Sequence, residues 1–189
     1  MPKISLEEEQ KLVEVARKDP EAFGKLYDLY FDAIYRYVFR RISDRETTED
    51  IVSQTFFDAL NKISKFKFRG FPFSAWLYKI AHNNVLQHYR KTKGRETVNL
   101  DSITELKDSK INIKKDFAQG EKREVMQVAL RKLKEKEQEI ILLKYFEEFS
   151  NQEIANILNL SANNVAVRVH RALTSLEKIL ENECVNIEA

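Results

Sequence analysis

One positively charged window contains side chains that can bind a polyanion. Between residues 59 and 95 there are nine lysine or arginine residues and no acidic residue. Its centre, residues 65–73, reads Lys-Phe-Lys-Phe-Arg-Gly-Phe-Pro-Phe, so cations alternate with aromatic rings. Lysine and arginine bind phosphates, and aromatic faces stack on unpaired bases. The pattern therefore indicates contact with single-stranded nucleic acid, although we expect at least half of the phenylalanines to pin the loop to the core. The candidate residues are Lys65, Phe66, Lys67, Phe68 and Arg69.

The helix predicted after this loop, with Ser74 as its N-cap, presents polar and basic side chains. Two of its amides are four residues apart and therefore share one helix face. Trp76 falls at a core-facing step and is expected to pack. His82 and His88 are six residues apart and lie on different faces, so we expect no metal site. The candidate contacts to nucleic acid are Lys79, His82, Asn83, Gln87, Arg90 and Lys91.

Residues 150–161 (Ser-Asn-Gln-Glu-Ile-Ala-Asn-Ile-Leu-Asn-Leu-Ser) indicate a short helix, a tight turn and a new N-cap. Ala155 is small enough to let a second helix cross closely, and Val165 and Val169 face inward from that helix. This is the spacing of a helix-turn-helix, whose second helix enters the DNA major groove. The alternative is a plain helical hairpin with two surface arginines. The outward-facing candidates, which could read base edges, hold phosphates or contact a thymine methyl, are Asn163, Asn164, Ala166, Val167, Arg168, His170 and Arg171.

The elements that position these residues are helices, because apolar residues recur at helical spacing through nearly the whole chain. Ser5 with Glu8 predicts a capping box at the first helix. Asp19, followed directly by proline, predicts the start of the second helix. A third helix is predicted to begin at Thr47 or Thr48. No strand pattern of any length competes with this interpretation.

The character of the chain changes between residues 90 and 116, where there is no aromatic residue, the charges alternate in sign and no period persists. Such a segment is typical of a linker between two packed units. We therefore expect an all-α fold with two helical domains, the C-terminal one containing the helix-turn-helix. The domains are predicted to span residues 1–92 and 118–189, joined by a linker over residues 93–117.

The composition excludes several classes of protein. The 189 residues include only four glycines and three prolines, which argues against collagen and against turn-dense all-β folds. The single cysteine, Cys184, cannot form an internal disulfide or a cysteine zinc site. No apolar run is long enough to span a bilayer, and no signal-peptide pattern follows Met1. We expect a cytoplasmic protein with no cofactor, no metal and no direct membrane insertion.

Two blocks of sequence match a known pattern in order. The first, residues 21–91, contains Thr-Glu-Asp-Ile-Val at 48–52 and Phe-Ser-Ala-Trp-Leu-Tyr-Lys-Ile-Ala at 73–81. The second, residues 130–176, contains Glu-Ile-Ala at 153–155. Together they resemble the sigma factors of bacterial RNA polymerase, in particular the small extracytoplasmic-function (ECF) group. The first block resembles domain two of that family and the second resembles domain four.

The resemblance implies a transcription initiation factor that catalyses no reaction itself. Domain two, residues 1–92, would dock on the clamp coiled coil of the largest polymerase subunit, and would melt and read the minus-ten element with the basic window. Domain four, residues 118–189, would bind the minus-thirty-five duplex and reach the flap region of the polymerase. Promoter DNA is thus expected as a duplex and as a single strand, and an anti-sigma factor is a further expected partner. The implied docking residues are Glu49, Asp50, Ile51, Ser53, Gln54, Phe56 and Phe57.

The chain departs from the family pattern at several of these positions. Ser53 and Gln54 stand where the family usually has a glutamine and then an acidic residue. Ala166 replaces a frequent lysine or arginine of the recognition helix, and His170 replaces an apolar or aromatic residue. His82 stands at the arginine of the usual Arg-Asn pair. The promoter preference of the family is therefore not carried over to this chain.

Two other classes of function are weighed against this one. An independent helix-turn-helix regulator would explain the C-terminal block, but it leaves residues 66–95 without a purpose and predicts a dimer. An enzyme is disfavoured, because the three histidines, the single cysteine and the lack of a phosphate-binding glycine loop give no assembled catalytic site.

Overall fold

The computed structural model describes residues 4–68, 70–92 and 117–187, with the side chains of the last segment described from residue 125 to 181. All regular structure in these residues is helical, which confirms the all-α prediction. The first four helices are α1 (Leu6–Ala16), α2 (Pro20–Ile42), α3 (Arg45–Lys62) and α4 (Phe73–Thr92). The remaining four are α5 (Phe117–Lys132), α6 (Glu135–Ile141), α7 (Asn151–Leu158) and α8 (Ala162–Ile187).

The first two helices begin where the sequence predicts. The backbone N–H of Glu8 donates to the Ser5 hydroxyl at 3.2 Å, and the Glu8 carboxylate accepts from the Ser5 N–H at 3.0 Å, which completes the capping box. At α2 the Asp19 carboxylate accepts from the backbone N–H of Glu21 at 2.9 Å, and proline occupies the first turn. Both starts are determined by side chains within three residues of the helix.

The next two helices begin differently from the prediction. Asp44, not a threonine, is the N-cap of α3, and its carboxylate accepts from the Thr47 N–H at 2.8 Å. The prediction that Ser74 caps α4 is also wrong, because that helix already includes Phe73. The first two backbone N–H groups of α4 donate to the carboxylate of Glu9 in α1, at 2.9 Å from Phe73 and 3.2 Å from Ser74. A distant side chain therefore performs the capping.

The N-terminal domain packs α2 against α1, α3 and α4 around a core of aromatic and aliphatic side chains. Its central members are fully buried, and the Tyr30 hydroxyl donates to the buried Glu9 carboxylate. Glu9 thus joins three elements, since it binds α2 and the start of α4 from its place in α1. The largest fully buried side chains of this domain are Leu26, Tyr30, Ile34, Tyr37, Phe73, Leu77 and Tyr78.

The C-terminal domain is built from the four later helices, and its helix-turn-helix is formed by α7 and α8. The α7 helix starts with a capping box at Ser150 and ends at Asn159, whose φ of 54° is left-handed, a conformation that asparagine tolerates. Ser161 caps α8 as predicted, accepting from the Asn164 N–H at 3.2 Å. Val165 is fully buried where the two helices cross.

Between α6 and α7 the chain passes through a π-helical turn at residues 142–146. The backbone N–H of Glu147 bonds to the carbonyl of Leu142 at 3.0 Å, and that of Phe149 bonds to Leu143 at 3.0 Å. This widened turn directs Glu147 and Phe149 towards the N-terminal domain, where both are buried. The two domains pack through α2 and α4 on one side and α6 and α7 on the other. The predicted linker, residues 93–117, lies outside the described residues except for Phe117.

Candidate polymerase and nucleic-acid interfaces

One face of α3 is exposed and combines polar with apolar side chains. Asp50, Ser53, Gln54 and Phe57 recur at three- and four-residue steps and all face solvent. The Phe57 ring is 60% exposed, and Leu60, one turn further, is 38% exposed. An aromatic ring in this position contributes to binding only when a partner covers it. We call this set of five residues the α3 face.

The acidic residues of α3 have different local partners. Glu49 forms an ion pair with Arg45 at 2.8 Å, one turn earlier in the helix. Gln54 donates to Asp58 at 2.9 Å. Asp50 forms no ion pair with any described residue, which leaves its carboxylate available to an external cation.

Two residues that the resemblance assigns to docking do not reach the surface. Ile51 and Phe56 are 7% and 4% exposed, and the Phe56 ring lies 4.6 Å from that of Tyr27. They lie at the core-facing steps of α3, about 100° or more around the helix from the α3 face. Ile51 and Phe56 therefore support the helix from inside, and the surface contains the other docking candidates and Leu60.

The basic loop divides its side chains between core and solvent. Lys65 and Lys67 are exposed, whereas Phe66 is 7% exposed and lies 5.5 Å from Phe73 and 5.0 Å from Trp76, ring centre to ring centre. This confirms the expected packing of Trp76 and removes Phe66 from the residues with a free ring face. Phe68 is half-buried beside Phe66, and Arg69 lies outside the described residues.

A polar stripe runs along α4 from the basic loop. Its members recur at helical spacing on one face, and all except the first are exposed. The amides along it can hydrogen-bond to bases, and the cations near its end can bind phosphates. The stripe consists of Lys79, Asn83, Gln87, Arg90 and Lys91.

The remaining α4 candidate, His82, lies one step around the helix and is only 7% exposed. Its ring nitrogen Nδ1 is hydrogen-bonded to the carboxylate of Glu139 in α6. Lys79, at the head of the stripe, also contacts the C-terminal domain: its ammonium donates to the carbonyl of Asn156 at 2.8 Å and to the side chain of Asn159 at 2.7 Å. Burial lowers the pKa of Lys79. In this arrangement Lys79 and His82 are both occupied by protein.

The outward face of α8 is available to a duplex. The candidate asparagines, Ala166, Val167, His170 and Arg171 are exposed, and Arg168 is half-buried. The guanidinium of Arg168 donates through Nε to the Asn164 side chain at 3.0 Å, which orients its remaining N–H groups. Val169 packs partly buried against the core, as its spacing predicts. The helix thus presents donors, acceptors and small apolar groups on one side.

A groove of about 670 Å³ adjoins this helix, and sequence reasoning missed it. It lies between α8 and the turn from α5 to α6. Its lining brings Lys134 and Lys136, together with the acidic Glu135 and Glu137, near Arg168 and Arg171. Both lysines are exposed. The sequence signal for this groove is the Lys-Glu-Lys run at the start of α6, residues 134–136. By itself such a run indicates only an ordinary charged surface.

Comparison with known proteins identifies the family. The Sigma-70 region 2 profile matches residues 26–95, and the Sigma-70, region 4 profile matches residues 123–176. The chain is 31% identical over 162 residues to the RNA polymerase sigma factor YlaC of Bacillus subtilis, covering 85% of this chain and 93% of YlaC. The chain belongs to the ECF sigma factors of RNA polymerase.

Other relatives agree with this assignment. The sigma factor is 29% identical over 174 residues to the ECF sigma factor BldN of Streptomyces coelicolor, spanning 92% of this chain and 66% of BldN. A solved structure of the sigma factor RpoE, bound to the anti-sigma factor NepR from Bartonella quintana, has the same fold, with a TM-score of 0.67. That match has 23% identity and covers 84% of this chain and 96% of RpoE.

As a sigma factor, the protein binds RNA polymerase and directs promoter-specific initiation of transcription. The alternative of an independent regulator is not favoured, because the region 2 match covers the window that this alternative leaves unexplained. Within the described ranges, no helix of the sigma factor combines the length and the apolar character needed to cross a membrane.

Proposed function

We propose that the sigma factor uses separate surfaces for docking on the polymerase, for opening the minus-ten element and for binding the minus-thirty-five element. The α3 face docks on the clamp coiled coil of the polymerase, and the C-terminal domain contacts the flap region. The basic loop and the α4 stripe open and read the minus-ten element. The outward face of α8, together with the groove, binds the minus-thirty-five duplex. These steps take place in the cytoplasm, and none requires catalysis by the chain.

The proposed docking role of the α3 face rests on two residues. Phe57 is exposed, and Asp50 on the same face has no ion-pair partner among the described residues. Aromatic residues that are surrounded by polar groups and become covered on binding dominate the energetics of protein interfaces. A cation on the partner would pair with Asp50 while an apolar contact covers Phe57 and Leu60.

The minus-ten assignment follows from the chemistry that strand opening requires. Extruding a base costs a few kcal/mol, which contacts with the displaced strand must offset. The exposed Lys65 and Lys67 can bind the phosphates of the displaced strand. Asn83 and Gln87 have side-chain amides that can hydrogen-bond to exposed base edges. Phe66 is buried, whereas Phe68 and Phe71 are both partly exposed, so these two rings of the loop can stack on a base.

The minus-thirty-five assignment adds two lysines to those expected from the sequence. Arg168 and Arg171 project from α8, and Lys134 and Lys136 border the same groove. A helix in the major groove is normally fixed in register by phosphate contacts from neighbouring elements. We therefore assign Lys134 and Lys136 to the backbone of the duplex, and the α8 side chains to its bases.

An anti-sigma factor is the further partner that we propose. RpoE, which shares this fold, is bound to the anti-sigma factor NepR in its solved structure. The exposed apolar part of the α3 face offers such a partner a surface that polymerase also needs. Affinity purification of the tagged sigma factor from its own cells tests this, and recovery of core polymerase alone would count against it.

Run-off transcription with purified core polymerase tests the function as a whole. We expect promoter-dependent transcripts with the wild-type chain and a loss of core binding with Asp50→Ala. Asp28→Ala is the matched control, because Asp28 is an exposed acid on α2 outside the α3 face. If the folded wild-type chain confers no promoter-dependent initiation, the proposal fails.

A further inference from the structure

We infer that Arg17, at the end of α1, is a positioning residue for the basic loop: it holds the start of the loop in place, so that the loop has its binding shape before DNA arrives. The inference rests on the proposed assignment of this loop to the minus-ten element. It adds to that site a residue from another helix, which lies outside the Sigma-70 region 2 match at residues 26–95.

The contact that carries the inference joins Arg17 to the backbone of the loop. One terminal nitrogen of its guanidinium donates to the carbonyl of Phe66, 49 residues later in the chain. The side chain of Arg17 is half-buried, and its Nε is buried without a hydrogen-bond partner among the described residues. A buried donor without an acceptor reduces stability, so this arginine is a poor choice if its only role is to stabilise the fold. Its guanidinium is committed to the loop.

The other end of the loop is held by the same helix. Glu9, eight residues before Arg17, accepts from the backbone N–H groups of Phe73 at 2.9 Å and Ser74 at 3.2 Å. Positions eight apart differ by only about 80° around an α-helix and lie about 12 Å apart along its axis, so both side chains project from one side of α1. A cation thus binds the carbonyl at the start of the loop, and an anion binds the N–H groups at its end. Each is the charge that strengthens that hydrogen bond.

Aromatic rings close the base of the loop between these two anchors. Phe66 and Phe73 are seven residues apart in the chain, yet their ring centres are 5.5 Å apart. Trp76 lies 5.0 Å from the first ring and 5.3 Å from the second. A loop whose ends lie this close, with its own side chains packed at its base, is a compact loop of the Ω type, a class that is frequently functional. Seven extended residues reach about 24 Å, so the chain between the two rings must arch away from its base.

The arch carries side chains that we assign to the displaced strand. Lys67 is exposed, and Phe68 and Phe71 are partly exposed. Gly70 has a φ of 80°, which suits glycine and bends the chain. Phe66 has extended backbone angles (φ −65°, ψ 137°), and successive side chains of an extended chain point in opposite directions. Because the ring and the carbonyl of Phe66 are both held, the next side chain, that of Lys67, is directed to solvent.

Holding the loop in this shape affects how tightly it binds a strand. A flexible loop loses conformational entropy when it becomes ordered on binding, whereas a loop that is already ordered makes the same contacts without that cost. Without Arg17, the start of the loop is held by the Phe66 ring alone. Lys65 and Lys67 would still neutralise the same phosphates, but only after the loop had been ordered. Arg17 should therefore change the affinity for the strand and leave the salt dependence of binding unchanged.

The first test measures the order of the loop in the free, full-length chain. NMR order parameters of the backbone N–H groups of Lys67 and Phe68 should be about 0.85 in the parent, as in rigid backbone, and below about 0.6 in Arg17→Ala. Arg17→Lys keeps a cation and a donor and should restore the parent values. Lys18→Ala, which removes the exposed cation next in the chain, is the matched control and should leave them unchanged. A flexible loop in the parent, or loss of helicity in Arg17→Ala, overturns the inference.

The second test measures DNA binding by the complex of the sigma factor with core polymerase. We expect Arg17→Ala to weaken binding of a single-stranded minus-ten oligonucleotide about tenfold, with the same slope of log affinity against log salt as the parent. Binding of the minus-thirty-five duplex should not change, and Arg17→Lys should stay within about twofold of the parent for both probes. A flatter slope in Arg17→Ala would make Arg17 a direct phosphate contact, and equal losses for both probes would give it a general role in stability. Either result, or unchanged binding of the strand, overturns the inference.

The double variant Lys65→Ala, Lys67→Ala separates this inference from the proposed function. If it binds the single strand as tightly as the parent does, the assignment of the basic loop to the minus-ten element fails, and the inference fails with it. If it binds more weakly with a flatter salt slope while Arg17→Ala binds as the parent does, the assignment stands and the inference alone is overturned.

Discussion

The carboxylate of Glu9 accepts a hydrogen bond from the backbone N–H of Phe73 at 2.9 Å, across 64 residues of sequence. This bond attaches the start of α4, the helix that carries the minus-ten candidates, to the first helix of the chain. The same carboxylate accepts from the Ser74 N–H and the Tyr30 hydroxyl. One buried acid thus fixes the position of the helix on which the proposed strand opening depends.

We expect Glu9→Gln to lower the free energy of unfolding by about 2 to 4 kcal/mol. The amide offers one acceptor where the carboxylate offers two, and its NH2 group faces donors that it cannot satisfy. Chemical denaturation followed by far-ultraviolet circular dichroism measures the change. Glu14→Gln, an exposed position on the same helix, should change stability by less than about 0.5 kcal/mol. Equal effects of the two variants would contradict the capping role of Glu9.

Phe57→Ala should weaken binding of the sigma factor to core polymerase about tenfold or more, because truncation removes an aromatic contact at the proposed interface. Its stability should change little, since the ring is 60% exposed in the free chain. Titration of labelled sigma factor with core enzyme gives the dissociation constant. Leu6→Ala, at a residue that is 65% exposed on α1, is the control. Unchanged affinity in Phe57→Ala would remove the ring from the docking surface.

Neutralising the groove should reduce the salt dependence of minus-thirty-five binding. Each phosphate contact contributes about 0.9 to the slope of log affinity against log salt for a duplex. The double variant Lys134→Ala, Lys136→Ala should therefore flatten the slope by about 1.8, with sequence preference retained. The measurement is duplex binding by holoenzyme at several salt concentrations. Lys178→Ala, exposed further along α8, should leave the slope as it is, and an equally steep slope in the double variant would exclude the groove from the interface.

The basic loop predicts an effect on the opened strand. Lys65→Ala with Lys67→Ala should reduce the salt slope for single-stranded minus-ten DNA by about 0.7 for each phosphate that the variant no longer neutralises. Both lysines are exposed, so the fold should be unaffected. Lys25→Ala, an exposed lysine on α2, is the control. If the slope does not change, these two cations are solvated charges without a role in binding.

The contact between the two domains should depend on pH in two opposite phases. Burial raises the pKa of Glu147, so this carboxylate binds its proton more readily while the domains are packed together, and the contact should strengthen as the pH falls from 7 through that raised value. Burial also acts to raise the pKa of Glu139, but the bond from His82 and the charge of Arg41 outweigh it and hold the pKa below the ordinary 4.5. The contribution of Glu139 is therefore complete above about pH 4.5 and is lost as the pH falls through the lowered value.

Interdomain distance measured against pH checks both phases. Glu147→Gln should abolish the first phase while it keeps an acceptor for Tyr78, and Glu139→Gln should abolish the second. The facing groups that share this interface are Arg40 and Arg41 from α2, and Tyr78 and His82 from α4. A single monotonic transition that both variants leave intact would show that these carboxylates do not control the contact.

Local sequence is sufficient for much of the fold because its determinants lie close together in the chain. The capping box of Ser5 and the cap at Asp19 each involve residues within three positions of each other. The helix-turn-helix is equally local, since the buried Val165 follows Ala155 across one turn. Asp44 interrupts the helical pattern of apolar residues, yet its own side chain starts α3. That start is readable from the sequence, because aspartate is a preferred N-cap.

The exposure of the α3 side chains can be predicted only in part from the sequence. Phe56 and Phe57 are adjacent and chemically identical, yet one is 4% and the other 60% exposed. Helical spacing separates them, because Phe56 continues the apolar steps of Ile51 and Val52, whereas Phe57 interrupts the polar face. The family resemblance alone places Ile51, Phe56 and Phe57 together in the docking set. The packing of α3 against α2 buries the first two and leaves only Phe57 of these three exposed.

Residue type and short-range spacing encode most of the helices, the concentration of positive charge between residues 59 and 95, and the resemblance to sigma factors. Tertiary structure decided which of those charges are available. The cap that Glu9 provides for α4, the groove beside α8, and the contacts of Glu139 and Glu147 with the N-terminal domain join residues tens to more than a hundred positions apart. No local pattern specifies such pairs, because their energies depend on burial that exists only when both domains have folded and met.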